Sequence, residues 1–289
     1  MKYFKLFRIK HYVKNLIIFL PLVFSGYLLN VSNFISVVIG FSSFSLITSF
    51  VYIINDINDI EYDRKHPVKC KRPIPSGAIS IRIARLLGIC SLIVSLFLLF
   101  YLLNAQRNIF IFINLVLYLL NNLLYTYKLK QIAILDVFSI VVGFLIRSFF
   151  GAAIINVSVS SLLYLTIMAL AFYLGYGKRR NEINVMKNGE TRKVLENYNF
   201  SFLDKNMNIC VTLAVVFYSL WVLEMDSVFV SNIFSLITTV PIILIILMRY
   251  SLVIEGDSDG DPTEVIFGDK LLVGLTLFYA MYLLVILYW

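Results

Sequence analysis

The sequence predicts an all-α fold, a polytopic membrane protein with nine transmembrane helices. Three observations lead there. The 289 residues are 60% hydrophobic yet carry a formal charge of +8, and a mean hydropathy of +0.86 is more apolar surface than a soluble core could hide. Nine apolar runs have the length of a bilayer crossing, roughly 17 to 25 residues. The charged residues gather on one side of those runs.

The runs lie near residues 13–29, 33–54, 81–103, 108–126, 132–155, 160–176, 207–224, 229–249 and 270–288. Of the 25 basic residues, all but Arg107 and Arg147 fall in the N-terminal arm, in the loops after the second, fourth, sixth and eighth runs, or at the helix ends bordering them. The opposite face keeps Arg107, Glu224 and Asp226. The positive-inside rule makes the basic face cytoplasmic and places Trp289 outside. A bacterial inner-membrane location with the working parts on the cytoplasmic side is the expectation. A cleaved signal peptide is the competing reading of the start, but Pro21 interrupts its apolar stretch, and cleavage would discard the basic arm.

The outer loops are short and the inner ones reach roughly 20–30 residues. Without a linker or a shift in composition, residues 1–289 read as one domain. Cys70, Cys90 and Cys210 lack paired spacing, so neither a disulfide nor a zinc site is indicated. One internal echo, Tyr52-Ile53-Ile54-Asn55-Asp56 against Tyr118-Leu119-Leu120-Asn121-Asn122, is short enough to be a coincidence. No feature asks for a nucleic-acid partner, and a homo-oligomer is compatible with the chain.

At the end of the second run, Asp56, Asp59 and Asp63 stand at i, i+3 and i+7, one face of a helix. Carboxylates stacked within about 10 Å repel unless a cation sits between them, and hard oxygen ligands of this kind suit Mg²⁺, which also binds phosphate oxygens. The plain alternative is a solvated helix end. Poor helix formers interrupting an apolar run at the membrane boundary argue against it. Arg64, Lys65, Lys69, Lys71 and Arg72 follow at once, in a loop shaped by Pro67, Pro73, Pro75 and Gly77, and would suit the remaining oxygens of a phosphorylated substrate.

Asn55-Asp56-x-x-Asp59-x-x-x-Asp63 resembles the first signature of the UbiA-type intramembrane prenyltransferases, which follows the second of nine helices. The resemblance implies a UbiA-like bundle in which Asn55, Asp56, Asp59 and Asp63 hold Mg²⁺ against a diphosphate. Ordinary members carry a second Asp-x-x-x-Asp motif after the sixth helix. Here that place reads Gly175-Tyr176-Gly177-Lys178-Arg179-Arg180-Asn181-Glu182, with cations where metal ligands are expected, so a second phosphorylated group is expected there. Together with Lys14-Asn15 at the start of the first run and His66-Pro67-x-Lys69-x-x-Arg72-Pro73-Ile74, these features resemble the decaprenyl-phosphate phosphoribosyltransferase branch. That resemblance implies a Mg²⁺-dependent transfer of ribosyl phosphate from phosphoribosyl diphosphate to a polyprenyl phosphate, with release of diphosphate, for cell-envelope glycan synthesis.

Further candidates are weaker. Asp136, Gly143 and Arg147 form one stripe of the fifth helix, with Arg147 roughly 16 Å along the axis from Asp136. A guanidinium so deep should face the bundle interior, against an acid, a carbonyl or an anionic lipid substrate. Lys128, near Tyr125, Tyr127 and Lys130, is either an interface anchor or a substrate contact. Glu255, Asp257, Asp259 and Asp261 do not have calcium-loop spacing and read as a flexible acidic lid. Two rival functions remain. One is a prenyltransferase acting on an aromatic or other small acceptor, disfavoured by the missing second acidic motif. The other is a transporter of anionic lipid, disfavoured by the scarcity of polar residues toward the outer face.

Overall fold

The computed structural model describes residues 2–65, 69–185, 193–225, 236–255 and 261–289. All regular structure among them is helical: α1 Lys2–Leu6, a 3₁₀ segment Ile9–Phe19, α2 Leu20–Phe24, α3 Val31–Asn58, α4 Ile60–Lys65, α5 Ile81–Gln106, α6 Ile109–Tyr127, α7 Leu135–Ile154, α8 Ser161–Val185, α9 Phe200–Met225, α10 Thr239–Glu255, α11 Pro262–Gly268 and α12 Lys270–Tyr288. Single 3₁₀ turns occupy Lys69–Lys71 and Leu129–Gln131, and a longer one Lys193–Asn197.

Seven helices among the described residues are long and apolar enough to cross a membrane: α3, α5, α6, α7, α8, α9 and α12. The protein is thus a multi-pass helical membrane protein. The expected span at 13–29 is a 3₁₀ segment passing into the short α2. Pro21 has no N–H for a bond back to the preceding turn and sits where its ring is tolerated, in the first turn of α2. Of the span expected at 229–249, residues 229–235 lie outside the described part, and residues 239–249 make up most of α10. The sixth expected helix runs on past 176 to Val185, so Lys178, Arg179 and Arg180 are helical and not in a loop.

The chain forms two compact units. The first comprises residues 1–22, 27–126 and 146–157, the second residues 23–26, 127–145 and 158–289, so α7 gives its first half to one and its second half to the other. In the first unit α3 and α5 lie side by side through a reciprocal pair. Ser43 Oγ donates to the Ser95 carbonyl at 2.9 Å and Ser95 Oγ to the Ser43 carbonyl at 2.7 Å. Small hydroxyl residues let helices approach where lipid offers no hydrophobic drive between them. Both helices start on a side-chain cap, Asn30 accepting from the Asn33 N–H and Ser80 from the Ile83 N–H.

The 3₁₀ segment presses against α7 so closely that a Cβ at Gly151 would lie 2.0 Å from the Ile18 carbonyl oxygen. Only glycine fits a backbone-to-backbone approach of this kind. The second unit is centred on Tyr173, Tyr176, Leu203, Met207, Tyr250, Ile254 and Val265, which bury one another. Gly151→Ala should destabilise the protein by about 1–3 kcal/mol through overpacking. Thermal unfolding in detergent micelles would register this as a lower Tm, and an unchanged Tm would contradict the close approach.

Candidate active site

The acidic motif straddles a break between two helices. α3 ends at Asn58, Asp59 takes φ −98° and ψ 12°, and α4 begins at Ile60. The helical hydrogen bonding nevertheless carries across: the Asp59 N–H bonds the Asn55 carbonyl at 2.9 Å and the Asp63 N–H bonds the Asp59 carbonyl at 2.8 Å. Two turns apart, Asp56 and Asp63 therefore face the same way, and both are buried. They meet on one nitrogen, Arg72 Nη1, which lies 3.1 Å from Asp56 Oδ1 and 2.7 Å from Asp63 Oδ2. Arg8 Nη2 donates to the same Asp56 Oδ1, and the Arg8 guanidinium lies 4.6 Å from the centre of the Tyr52 ring.

The loop that delivers Arg72 is held by its own backbone. The Ser76 N–H bonds the Arg72 carbonyl at 3.0 Å, the Ile79 N–H bonds the Pro73 carbonyl at 2.9 Å, and Gly77 supplies the left-handed φ of 76° that closes the turn. Ile74 and Ile79 pin it to the first unit by packing with Leu6, Ile53 and Ala84. Burial and the neighbouring Arg8 charge draw the Arg72 pKa below its ordinary value, with Asp56 and Asp63 opposing them. The other expected residues of this region spread out around the acid pair. Asn55 Oδ1 accepts from Thr126 Oγ1 at 2.6 Å and Arg64 Nε donates to the Pro75 carbonyl at 3.3 Å, while Lys69 is half-buried and Lys71 exposed. His66 and Pro67 lie outside the described residues.

Asp59 is only half-buried, and among the described residues no three acidic, histidine or cysteine side chains come together as a ready ligand set. A magnesium ion does not need one. It takes one or two carboxylates and completes its shell with water and substrate phosphate. Asp56 and Asp63 already share a positive charge between their oxygens, so the donor set fits such an ion.

Arg147 faces the interior of the first unit, as expected. Its Nε donates to Asn15 Oδ1 at 2.8 Å and its Nη2 to the Tyr118 hydroxyl at 3.1 Å, and its guanidinium stands 5.5 Å and 5.0 Å from the Phe44 and Tyr118 ring centres. Asn15 is fully buried and donates to Ser45 Oγ at 3.0 Å, whereas Lys14 beside it is half-buried.

Asp136 belongs to the second unit and has different company. It is fully buried, its Oδ2 lies 2.5 Å from Arg179 Nε, and its Oδ1 accepts from the Tyr198 hydroxyl at 2.6 Å. Arg179, 1% exposed, also reaches Glu182 at 2.5 Å. Tyr198 accepts in turn from the Ile134 N–H at 2.6 Å, a residue with φ 72°. Burial first, then the hydrogen bond to the Asp136 carboxylate, raise the Tyr198 pKa.

Arg179 is thus committed to two carboxylates inside the unit. The flanking cations differ: Lys178 is 3.6 Å from Asp261, and Arg180 binds Asp204 at 2.6 Å above the Phe200 ring. Lys128 is exposed. Of the expected acidic lid, Asp257 and Asp259 lie outside the described residues, Glu255 ends α10, and Asp261 caps α11 by accepting from the Thr263 N–H at 3.0 Å.

Four residues of these networks carry no local signal of their place. Arg8 is one charge among several in a basic arm, Tyr118 and Thr126 are ordinary residues of an apolar helix, and nothing local marks Tyr198. Only the echo of Tyr52 by Tyr118 hinted at paired roles, since each ring now lies against a guanidinium.

Residues 18–185 match the family model described as the UbiA prenyltransferase family. The chain belongs to that family. It is 30% identical to the decaprenyl-phosphate phosphoribosyltransferase of Mycolicibacterium smegmatis, over 93% of this chain and 86% of that protein. To the enzyme of the same name from Corynebacterium glutamicum it is 27% identical, over 98% of this chain and 86% of that one. Among solved structures, a digeranylgeranylglyceryl phosphate synthase superposes with a TM-score of 0.66 at 22% identity, covering 99% of this chain and 97% of that one. A UbiA homologue from Archaeoglobus fulgidus bound to DMAPP and Mg²⁺ does so with a TM-score of 0.64 at 18% identity, covering 98% and 96%. The UbiA fold read from the acidic signature is therefore the fold of this transferase.

Two of the ion pairs of α8, Arg179–Asp136 and Arg180–Asp204, should behave differently on truncation. Asp136→Ala leaves a buried guanidinium short of a partner and should cost about 3–5 kcal/mol. Asp204→Ala removes a partner that is half in solvent, and should cost about 0–1 kcal/mol. Denaturation of the two variants in mixed micelles would rank them, and equal losses would contradict a structural role for the Asp136 pair.

Proposed function

We propose that this UbiA-family protein transfers the 5-phosphoribosyl group of phosphoribosyl diphosphate to a polyprenyl phosphate of decaprenyl type, releasing diphosphate. The reaction would take place on the cytoplasmic face of a bacterial inner membrane and feed cell-envelope glycan synthesis. What carries the reading is the near full-length likeness to curated decaprenyl-phosphate phosphoribosyltransferases at 30% identity. Cations at 178–180, where prenyl-transferring members have acids, support the same choice over a prenyl diphosphate donor.

Asp56 and Asp63, with Asp59 and Asn55 beside them, are the residues that would hold Mg²⁺. When bound, the ion would neutralise charge building on the departing diphosphate. Arg72 and Arg8 are placed to donate to diphosphate oxygens, and Arg64, Lys69 and Lys71 surround them with positive charge. The acceptor needs little base catalysis, because a phosphate monoester oxygen is already anionic at neutral pH; holding it in line with C1 of the ribose is the main requirement.

In the second unit Lys178, Arg180 and Lys128 supply positive charge for phosphate groups, Lys178 and Arg180 from different sides of α8, and Arg179 with Asp136 keeps that part of α8 in place. Arg147 with Asn15, next to Lys14, is assigned to positioning inside the first unit, where it offers donors to an anionic lipid head.

Purified protein in lipid nanodiscs, given radiolabelled phosphoribosyl diphosphate, decaprenyl phosphate and Mg²⁺, should yield a labelled lipid whose mass identifies the phosphoribosyl adduct. Asp56→Asn and Asp63→Asn should each lower the rate at least about 100-fold, near 2.7 kcal/mol of lost transition-state stabilisation. Turnover of a prenyl diphosphate with no labelled lipid would replace this reading with prenyl transfer.

A further inference from the structure

The acid pair is already balanced. Asp56 and Asp63 are buried, and two guanidinium groups, from Arg8 and Arg72, match their charge at hydrogen-bonding distance. A bare divalent cation entering between the buried carboxylates would leave this cluster of two acids and two guanidinium groups with two surplus positive charges at close range, an arrangement that Coulomb repulsion disfavours. The excess vanishes if a diphosphate arrives with the metal, since its oxygens can take over both guanidinium groups. Resting on the reading of this pair as the metal site, we propose that Arg8 and Arg72 are exchangeable counter-ions that close the site to free divalent metal and open it to a metal–diphosphate complex.

Arg8 is built for such an exchange. Its backbone is left-handed, φ 51° and ψ 46°, which an L-residue with a long side chain rarely adopts unless its surroundings impose it. They do so from both sides. Leu6 is fully buried with Ile53 and Ile74, the Phe7 carbonyl accepts from Ser49 Oγ at 2.7 Å, and the His11 N–H bonds the Arg8 carbonyl at 2.8 Å. The backbone corner is thus fixed while the side chain ends in a guanidinium over the Tyr52 ring. That ring provides a resting place for the cation when the carboxylate is taken away. Arg72 differs in bridging both acids from an anchored loop, so it guards the space between them.

The exchange couples metal and diphosphate reciprocally, each strengthening the other's binding by the same factor. The test is equilibrium dialysis of the full-length protein in nanodiscs at a fixed free Mn²⁺ concentration, with protein-bound manganese measured with and without inorganic diphosphate. Wild type should gain at least about tenfold in Mn²⁺ affinity with diphosphate. Arg8→Gln should bind Mn²⁺ better than wild type in its absence, and Arg8→Lys should restore the dependence. Equal Mn²⁺ binding by wild type with and without diphosphate would overturn the exchange and leave the metal site standing, as would an Arg8→Gln protein no better than wild type without diphosphate. No protein-bound Mn²⁺ in any arm would overturn both the exchange and the metal site.

Discussion

Charge taken out of water must be matched by charge or by dipoles, and in a membrane protein there is little water nearby to relax the rule. Two carboxylates buried where α3 gives way to α4 force the first unit into a particular arrangement. The loop after α4 has to return so that Arg72 lies between them, and the N-terminal arm has to turn a left-handed corner so that Arg8 reaches Asp56. Leu6, Ile74 and Ile79, which hold arm and loop down, are apolar anchors for an electrostatic purpose.

Arg147 and Arg179, the arginines buried among the described residues, satisfy the same rule by different means. Arg179 is met by formal charge, the carboxylates of Asp136 and Glu182, with Tyr198 completing the hydrogen bonds of Asp136. Arg147 donates to the Asn15 amide oxygen and the Tyr118 hydroxyl and lies against two aromatic faces.

The chain carries Asn55, Asp56, Asp59 and Asp63 in the first unit and three consecutive cations, Lys178, Arg179 and Arg180, on α8 in the second. The structure adds that these cations are not equivalent. Arg179 points into the unit while Lys178 and Arg180, one residue away on either side, reach Asp261 and Asp204 at its edge. Successive helical positions differ by about 100°, so a run of three basic residues cannot all face one ligand.

Much of this was legible in the order of residues. Apolar runs of bilayer length, basic residues confined to one side and the Asn55 to Asp63 signature determine a multi-pass helical protein, its family and the location of its acids, because hydropathy, charge asymmetry and i, i+3, i+7 spacing act locally. What only the tertiary structure decided is which charge meets which. That Arg8 lies on Asp56, 48 residues away, that Tyr198 reaches Asp136 across 62, and that the start of the first predicted span is a 3₁₀ segment against Gly151 are outcomes of packing. A basic arm looks the same in sequence whether its arginines face solvent, lipid or a buried carboxylate, since the energy that separates these cases comes from burial, which no local pattern records.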